Sequence, residues 1–168
     1  ASLAFYHIGQ TLVRQTKDGL KSLLGVPASH WASSSAEENL GLIVKYLLVF
    51  VGVGLGLTAM VWLLFPYILP LIFGEKYLES VKFAKLFSLS FLPLCLSSMI
   101  WAFDLYQRDG KVYRRAQIIT KIIQLAGLAV AIHTHGVWGV AVVIVSTEFF
   151  QGIFSATYLF AQVRRIKI

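Results

Sequence analysis

The stretch LLVFVGVGLGLTAMVWLLFPYILPLIF, residues 47–73, runs for 27 residues without a charged side chain. As a helix rising about 1.5 Å per residue, it exceeds the roughly 30 Å of hydrocarbon in a bilayer. In water such a surface would aggregate. In lipid a helix satisfies its own backbone hydrogen bonds where no water can. This stretch makes the chain an all-α membrane protein, and composition agrees. Of 168 residues, 57% are hydrophobic and 14% charged, where a soluble domain sits nearer half and a quarter; mean hydropathy is +0.72. The net charge of +7 does not point to nucleic acid, because the positives lie in short segments between apolar runs, as orientation signals do. Cys95 is solitary and lies in an apolar run, so no intrachain disulfide can form and a metal cluster is not expected. The chain opens on Ala1 with no cleavable signal sequence ahead of its first polar residues, and a processed product or a fragment is expected.

Working outward, residues 1–25 place Phe5, Ile8, Leu12, Leu20 and Leu23 roughly on one helical face. His7, Gln10, Arg14, Lys17 and Lys21 recur at steps of three and four on another. Two readings stand open: a basic amphipathic helix lying on the membrane surface, or a spanning helix over 3–24 whose polar stripe faces a wet cavity. Gly25, Val26 and Pro27 are expected to end it. Ser35 and Glu38 have capping-box spacing for the next helix. That helix runs over 42–73, with Gly52 and Gly56 spaced for close approach of a neighbour and Pro66 and Pro70 expected to kink or end it. Residues 74–85 read as a short charged hairpin or surface turn, and a span over 84–106 follows with Pro93 inside it. Asp104 and Arg108 are spaced to pair. Further spans are expected over 116–132 and 137–161, separated by a tight turn at His133-Thr134-His135-Gly136. The two histidines have no carboxylate or thiolate company and are weak metal ligands.

Orientation follows from charge. Four Lys/Arg precede the long span, four lie in the connection 107–115 and three in the tail, while three (Lys76, Lys82, Lys85) occupy the connection after the long span. Alternate connections divide eleven against three, which places the C-terminus in the cytoplasm.

No catalytic constellation emerges: no phosphate loop, nucleophile elbow or Cys/His cluster. An enzyme is not expected, nor a cofactor. Four intramembrane groups remain, Arg14, Lys17, Lys121 and Glu148. Lys121 lies about 8 Å inside the cytoplasmic boundary and can snorkel. Glu148 is near the middle of its span, and a direct pair with Lys121 is not the first expectation, since the two differ by roughly 10 Å in depth. It is protonated, hydrogen-bonded to another helix, or facing water; the plainer alternative is a packed, neutral Glu148 beside Gln151. The stripe of Gln10, Arg14, Lys17 and Lys21 suggests a cationic cavity for an anionic lipid headgroup such as a diphosphate. Glu148 with Gln151 is the candidate coupling or gating group.

The order of these features resembles the C-terminal part of the polysaccharide flippases, of O-antigen and capsule type, in the multidrug/oligosaccharidyl-lipid/polysaccharide exporter superfamily. The residues that carry it span nearly the whole chain. Val26-Pro27-Ala28-Ser29 resembles the family's exit from its eighth helix, and Phe73-Gly74-Glu75-Lys76-Tyr77 its glycine-x-x-tyrosine turn. Val81–Ser88 opens the next helix, Leu105–Lys111 is similar to the leucine-x-x-x-x-glycine-lysine cytoplasmic turn, and Gly136-Val137-Trp138-Gly139-Val140-Ala141 resembles the start of the last core helix. The resemblance implies about five transmembrane helices, the eighth to twelfth of a two-lobe transporter in the bacterial inner membrane, with 3–24 spanning. It further implies translocation of undecaprenyl-diphosphate-linked oligosaccharide by alternating access, with membrane lipid and the remaining N-terminal lobe as partners. No family residue carries over to Arg14, Lys17 or Glu148. A chain of 168 residues cannot supply both lobes. Rival expectations are a drug or metabolite exporter of the same superfamily and a non-transporting scaffold of a glycan-assembly complex.

Overall fold

The computed structural model describes the backbone of residues 2–31, 36–108 and 110–166, with side chains described for these except 2, 23–31, 36–44, 99, 102–108 and 162–166. The expected Ser35–Glu38 cap and the Asp104–Arg108 pair lie outside the described residues. Every element is helical: α1 (Ser2–Trp31), α2 (Ala36–Phe73), a 3-10 turn (Glu75–Tyr77), α3 (Leu78–Ser88), α4 (Phe91–Arg108) and the segment Lys111–Ile166. That last segment is interrupted at Gly136, whose φ of 58° and ψ of −140° are not helical. A glycine adopts this conformation without a Cβ clash. Residues 111–135 (α5) and 137–166 (α6) fold back on each other there: a Cβ at Gly127 would lie 3.0 Å from Val143, and one at Gly139 would lie 3.1 Å from the Ala131 side chain.

Among the described residues, three stretches are long and apolar enough to cross a membrane, Lys45–Phe73, Glu75–Ser98 and Lys111–Ala161. The third contains both arms of the α5–α6 hairpin, and α1, with its polar stripe, is not among the three. The second is 61% buried inside the bundle, against 11% and 17% for the other two. The rest of the fold is therefore arranged around α3 and α4. Phe83, Phe87 and Phe91 from this pair are fully buried with Val13 of α1, Leu69 of α2 and Val145 of α6. Tyr6 packs edge-on to Phe83 and Phe87, and Trp138 stacks on Phe83 at 4.3 Å.

Pro27 does not end α1 where the sequence suggested. α1 continues past Pro27 to Trp31, and α2 continues through Pro66 and Pro70 to Phe73. A proline removes one helical donor and crowds the carbonyl four residues back, which a long apolar helix survives when its other bonds hold. α2 ends instead at Gly74, where φ turns to 88° and the backbone N–H donates to the Pro70 carbonyl at 2.8 Å. The supposed surface turn over 74–85 is mostly helix, with Ser80, Val81, Phe83 and Ala84 buried. The expected span over 84–106 is broken. At Leu89 and Ser90 the backbone switches to i→i−3 bonds, to Leu86 and Phe87, before Leu94 resumes the i→i−4 pattern. Pro93 explains the position, because its ring crowds the Leu89 carbonyl and it brings no N–H. Hydroxyls occupy the break: Ser90 donates to the Phe87 carbonyl, Ser88 to that of Lys85, and Thr58 of α2 reaches across to that of Ser88 at 3.0 Å.

Gly52 and Gly56, expected to admit a neighbouring helix, face open space; Gly54, between them, makes the contact, 3.2–3.4 Å from Cys95, Phe91 and Leu92. Gly9 of α1 meets the Ser80 carbonyl and Gly152 of α6 meets Pro93, each leaving under 3.0 Å for a Cβ. We predict that Gly9→Val or Gly152→Val destabilises the bundle by about 1–3 kcal/mol through overpacking, whereas Gly52→Ala and Gly56→Ala change it by less than about 0.5 kcal/mol. Unfolding in detergent followed by circular dichroism reads the difference, and equal losses at all four sites would contradict this packing.

Candidate functional site

The polar stripe of α1 borders the face that Gly9, Val13 and Leu20 commit to the core. Arg14 and Lys21 are then left exposed, while Lys17 is turned toward α6. Its Nζ donates to both carboxylate oxygens of Glu148, at 2.9 and 2.8 Å. The Lys17 side chain is 12% exposed and that of Glu148 33%. This is the one described ion pair between helices. Sequence reasoning offered Glu148 a bond to another helix as one alternative without naming its partner. The other charges are paired within α1: Arg14 Nε lies 3.9 Å from Asp18 Oδ2, and Lys21 Nζ lies 3.6 Å from Asp18 Oδ1. Those are exposed contacts beyond hydrogen-bond length and hold little energy. The Lys17–Glu148 contact is charge-assisted, doubly bonded and partly desolvated, so it is the one that weighs.

Two cavities meet at Glu148. The smaller, about 240 Å³, is lined by Gln10, Val13, Arg14, Lys17, Lys21 and Glu148 among others. The larger, about 530 Å³, receives Lys21 from α1, Ser97, Ser98 and Trp101 from α4, Gln117 and Lys121 from α5, and Glu148 and Gln151 from α6. Lys21 and Glu148 belong to both walls. All six candidate residues, Gln10, Arg14, Lys17, Lys21, Glu148 and Gln151, thus line one cavity or the other. Lys121 does not bond Glu148; it donates to Gln124 Oε1 at 2.9 Å, three residues along its own helix.

Two participants escaped the sequence reading. Asp18 stands four residues after Arg14 and three before Lys21, a spacing that would have flagged it. With it, the cluster of Arg14, Lys17 and Lys21 against Asp18 and Glu148 holds three positive and two negative groups, so it is less cationic than the stripe alone implied. Trp101 is the other. It stacks near-parallel with Phe154 and Tyr158, and its indole N–H is buried without a hydrogen-bond partner among the described residues. No periodicity marks it. Around the hairpin tip, His135 Nδ1 lies 2.7 Å from Thr134 Oγ1, and among the described residues no three His, Cys, Asp or Glu side chains gather as a metal site.

No protein family, curated protein or solved structure matches the chain.

Removing one partner of the pair strands the other in a partly dry seam. We predict that Lys17→Gln or Glu148→Gln alone costs about 1–3 kcal/mol, below the range for a fully buried pair. The double variant is expected to cost less than the two singles together. A double-mutant cycle on unfolding in detergent checks this, and strict additivity would show that the pair contributes nothing.

Proposed function

We propose that the chain is the C-terminal part of a membrane transporter that moves a lipid-linked oligosaccharide across the bacterial inner membrane by alternating access, without covalent chemistry. The observation that carries this reading is the Lys17–Glu148 pair, which joins α1 to α6 at the seam of two polar cavities in an otherwise apolar bundle. Charged side chains are expensive at membrane depth and mark pathways when they face a cavity.

The register of α1 supports a spanning helix. Phe5 packs edge-on against Tyr77 at the turn that follows α2. If that turn marks one face of the membrane, Lys17 lies about 18 Å further along α1, near or past the midplane of a bilayer of roughly 30 Å. With α1, α2, the bent α3–α4 unit, α5 and α6 each crossing, the chain makes five passes and ends in the cytoplasm, in accord with its charge asymmetry. The exposed side of Arg14, Asp18 and Lys21 then faces water or the other lobe rather than lipid.

In the proposed cycle an anionic headgroup enters beside Arg14 and Lys17 and competes with Glu148 for the lysine. Protonation of Glu148 does the same from the other side, by removing the charge that holds Lys17. Either event loosens α1 from α6 and lets the two cavities exchange access.

Two outcomes test the reading in the protein as its gene encodes it. Replacing both Arg14 and Lys17 by Gln, at normal expression, is expected to lower transport of lipid-linked oligosaccharide by about tenfold, within the range of one coupling interaction; unchanged activity would sink the headgroup role. For Glu148→Gln we expect a transport rate that no longer varies with pH as wild type does. Retention of the wild-type pH profile would remove Glu148 from coupling.

A further inference from the structure

The outward face of α5 carries a second arrangement that the Lys17–Glu148 site does not use. Thr120 is buried against the bundle, while Arg115, Ile118, Lys121, Ile122 and Leu125 are exposed. The spacings 115–118–122–125 put the arginine and three apolar side chains on one stripe, with Lys121 on its flank. Gln117, Ile118, Lys121, Ile122 and Leu125 line an open groove of about 370 Å³ whose walls are almost wholly apolar. Lys121 and Gln117 also line the larger polar cavity, so they stand on the sill between it and the outside surface.

From this we infer that the groove binds an anionic phospholipid of the surrounding membrane, with its phosphate held between Arg115 and Lys121 and one acyl chain lying along Ile118, Ile122 and Leu125. Arg115 stands at the outer end of the stripe, Ile118, Ile122 and Leu125 follow it inward, and Lys121 flanks the stripe beside Ile122, so an anionic head has a cation at the entrance and a second on its side. Lys121 Nζ donates to Gln124 Oε1, one turn further in, and reaches a phosphate on the Arg115 side by exchanging that bond and swinging toward the N-terminus, the direction in which helical side chains lean. Arg115 offers the planar, multi-donor fit to phosphate oxygens. Basic groups at the cytoplasmic end of membrane helices attract anionic lipid for the same reason. A neutral, zwitterionic headgroup presents its own ammonium to the same two cations and gains less. A lipid seated there would line the outer side of the sill and narrow the cavity's lateral opening.

The inference rests on the membrane placement proposed above and not on transport. The test uses the full chain purified in detergent, incubated with phosphatidylglycerol or phosphatidylcholine of identical acyl chains and read by native mass spectrometry. Wild type is expected to retain phosphatidylglycerol in clear preference, and Arg115→Gln with Lys121→Gln to retain about tenfold less of it. Lys121→Arg is expected to keep it. Equal retention of the two lipids by wild type would overturn the proposal without any variant, as would undiminished retention by a double variant whose helicity is intact. Release of the chain from membranes by an alkaline wash would instead bring down the membrane placement itself.

Discussion

Three helices press a glycine against one central stave, and the rest of the bundle depends on that contact. Gly9 of α1 meets the backbone of α3, while Gly54 of α2 and Gly152 of α6 meet α4 around Phe91 and Pro93. Between apolar helices in lipid no hydrophobic drive favours one packing over another, so close backbone approach and side-chain interlock must supply the specificity. The stave is suited to it. Ser80, Ala84, Ser88 and Ser90 give α3 and the bend a surface of small residues, each of them fully buried. A large side chain at any of these contacts would push its helix outward and loosen everything behind it. The bend at Leu89 and Ser90 matters as much, because it sets α4 off from α3 and so turns one long apolar run into two differently directed walls.

From that packing the polar seam follows. Gly9 holds α1 against one end of the stave and Gly152 holds α6 against the other, which leaves Lys17 and Glu148 facing each other although 131 residues separate them in sequence. α1 and α6 otherwise share little direct contact, so the ion pair spans a gap rather than reinforcing a packed interface. Cavities on both sides are the consequence. The hydroxyls at the bend play a quieter role. By taking up the Lys85, Phe87 and Ser88 carbonyls they keep the broken backbone from seeking water at the centre of the bundle.

Much of this was legible in the sequence, and the part that was not has a physical reason. The charge-free run 47–73 and the glycine at each of its turns, Gly74 and Gly136, announce helix and reversal through local chemistry alone. The α1 stripe is likewise a matter of helical period. Proline was the misleading signal. Pro27, Pro66 and Pro70 sit in helices that continue, while Pro93 acts one turn earlier than its own position, at Leu89. Whether a proline ends a helix depends on what satisfies the carbonyl it strands, and tertiary neighbours decide that. The same holds for Gly54 over Gly52 and Gly56: all three lie in one apolar run, and only the docking of α4 selects among them. The Lys17–Glu148 contact is the extreme case, since no periodicity links residues so distant.

The Lys17–Glu148 contact is intermediate in burial, which is what the proposed switching role would need. A pair sealed from water can be parted only by leaving a bare charge, at a cost of several kcal/mol. A fully wetted pair holds nothing worth switching. Here the lysine is nearly enclosed and the Glu148 side chain is one-third exposed, at the edge of a cavity of about 530 Å³. Glu148 therefore keeps part of its hydration, while Arg14, Asp18 and Lys21 form a separate exposed set within α1. The proposed competition between a fixed carboxylate and an incoming anion for one ammonium group would be local electrostatics. What would give it reach is the thinness of the contact between α1 and α6, where the pair is the only described polar tie.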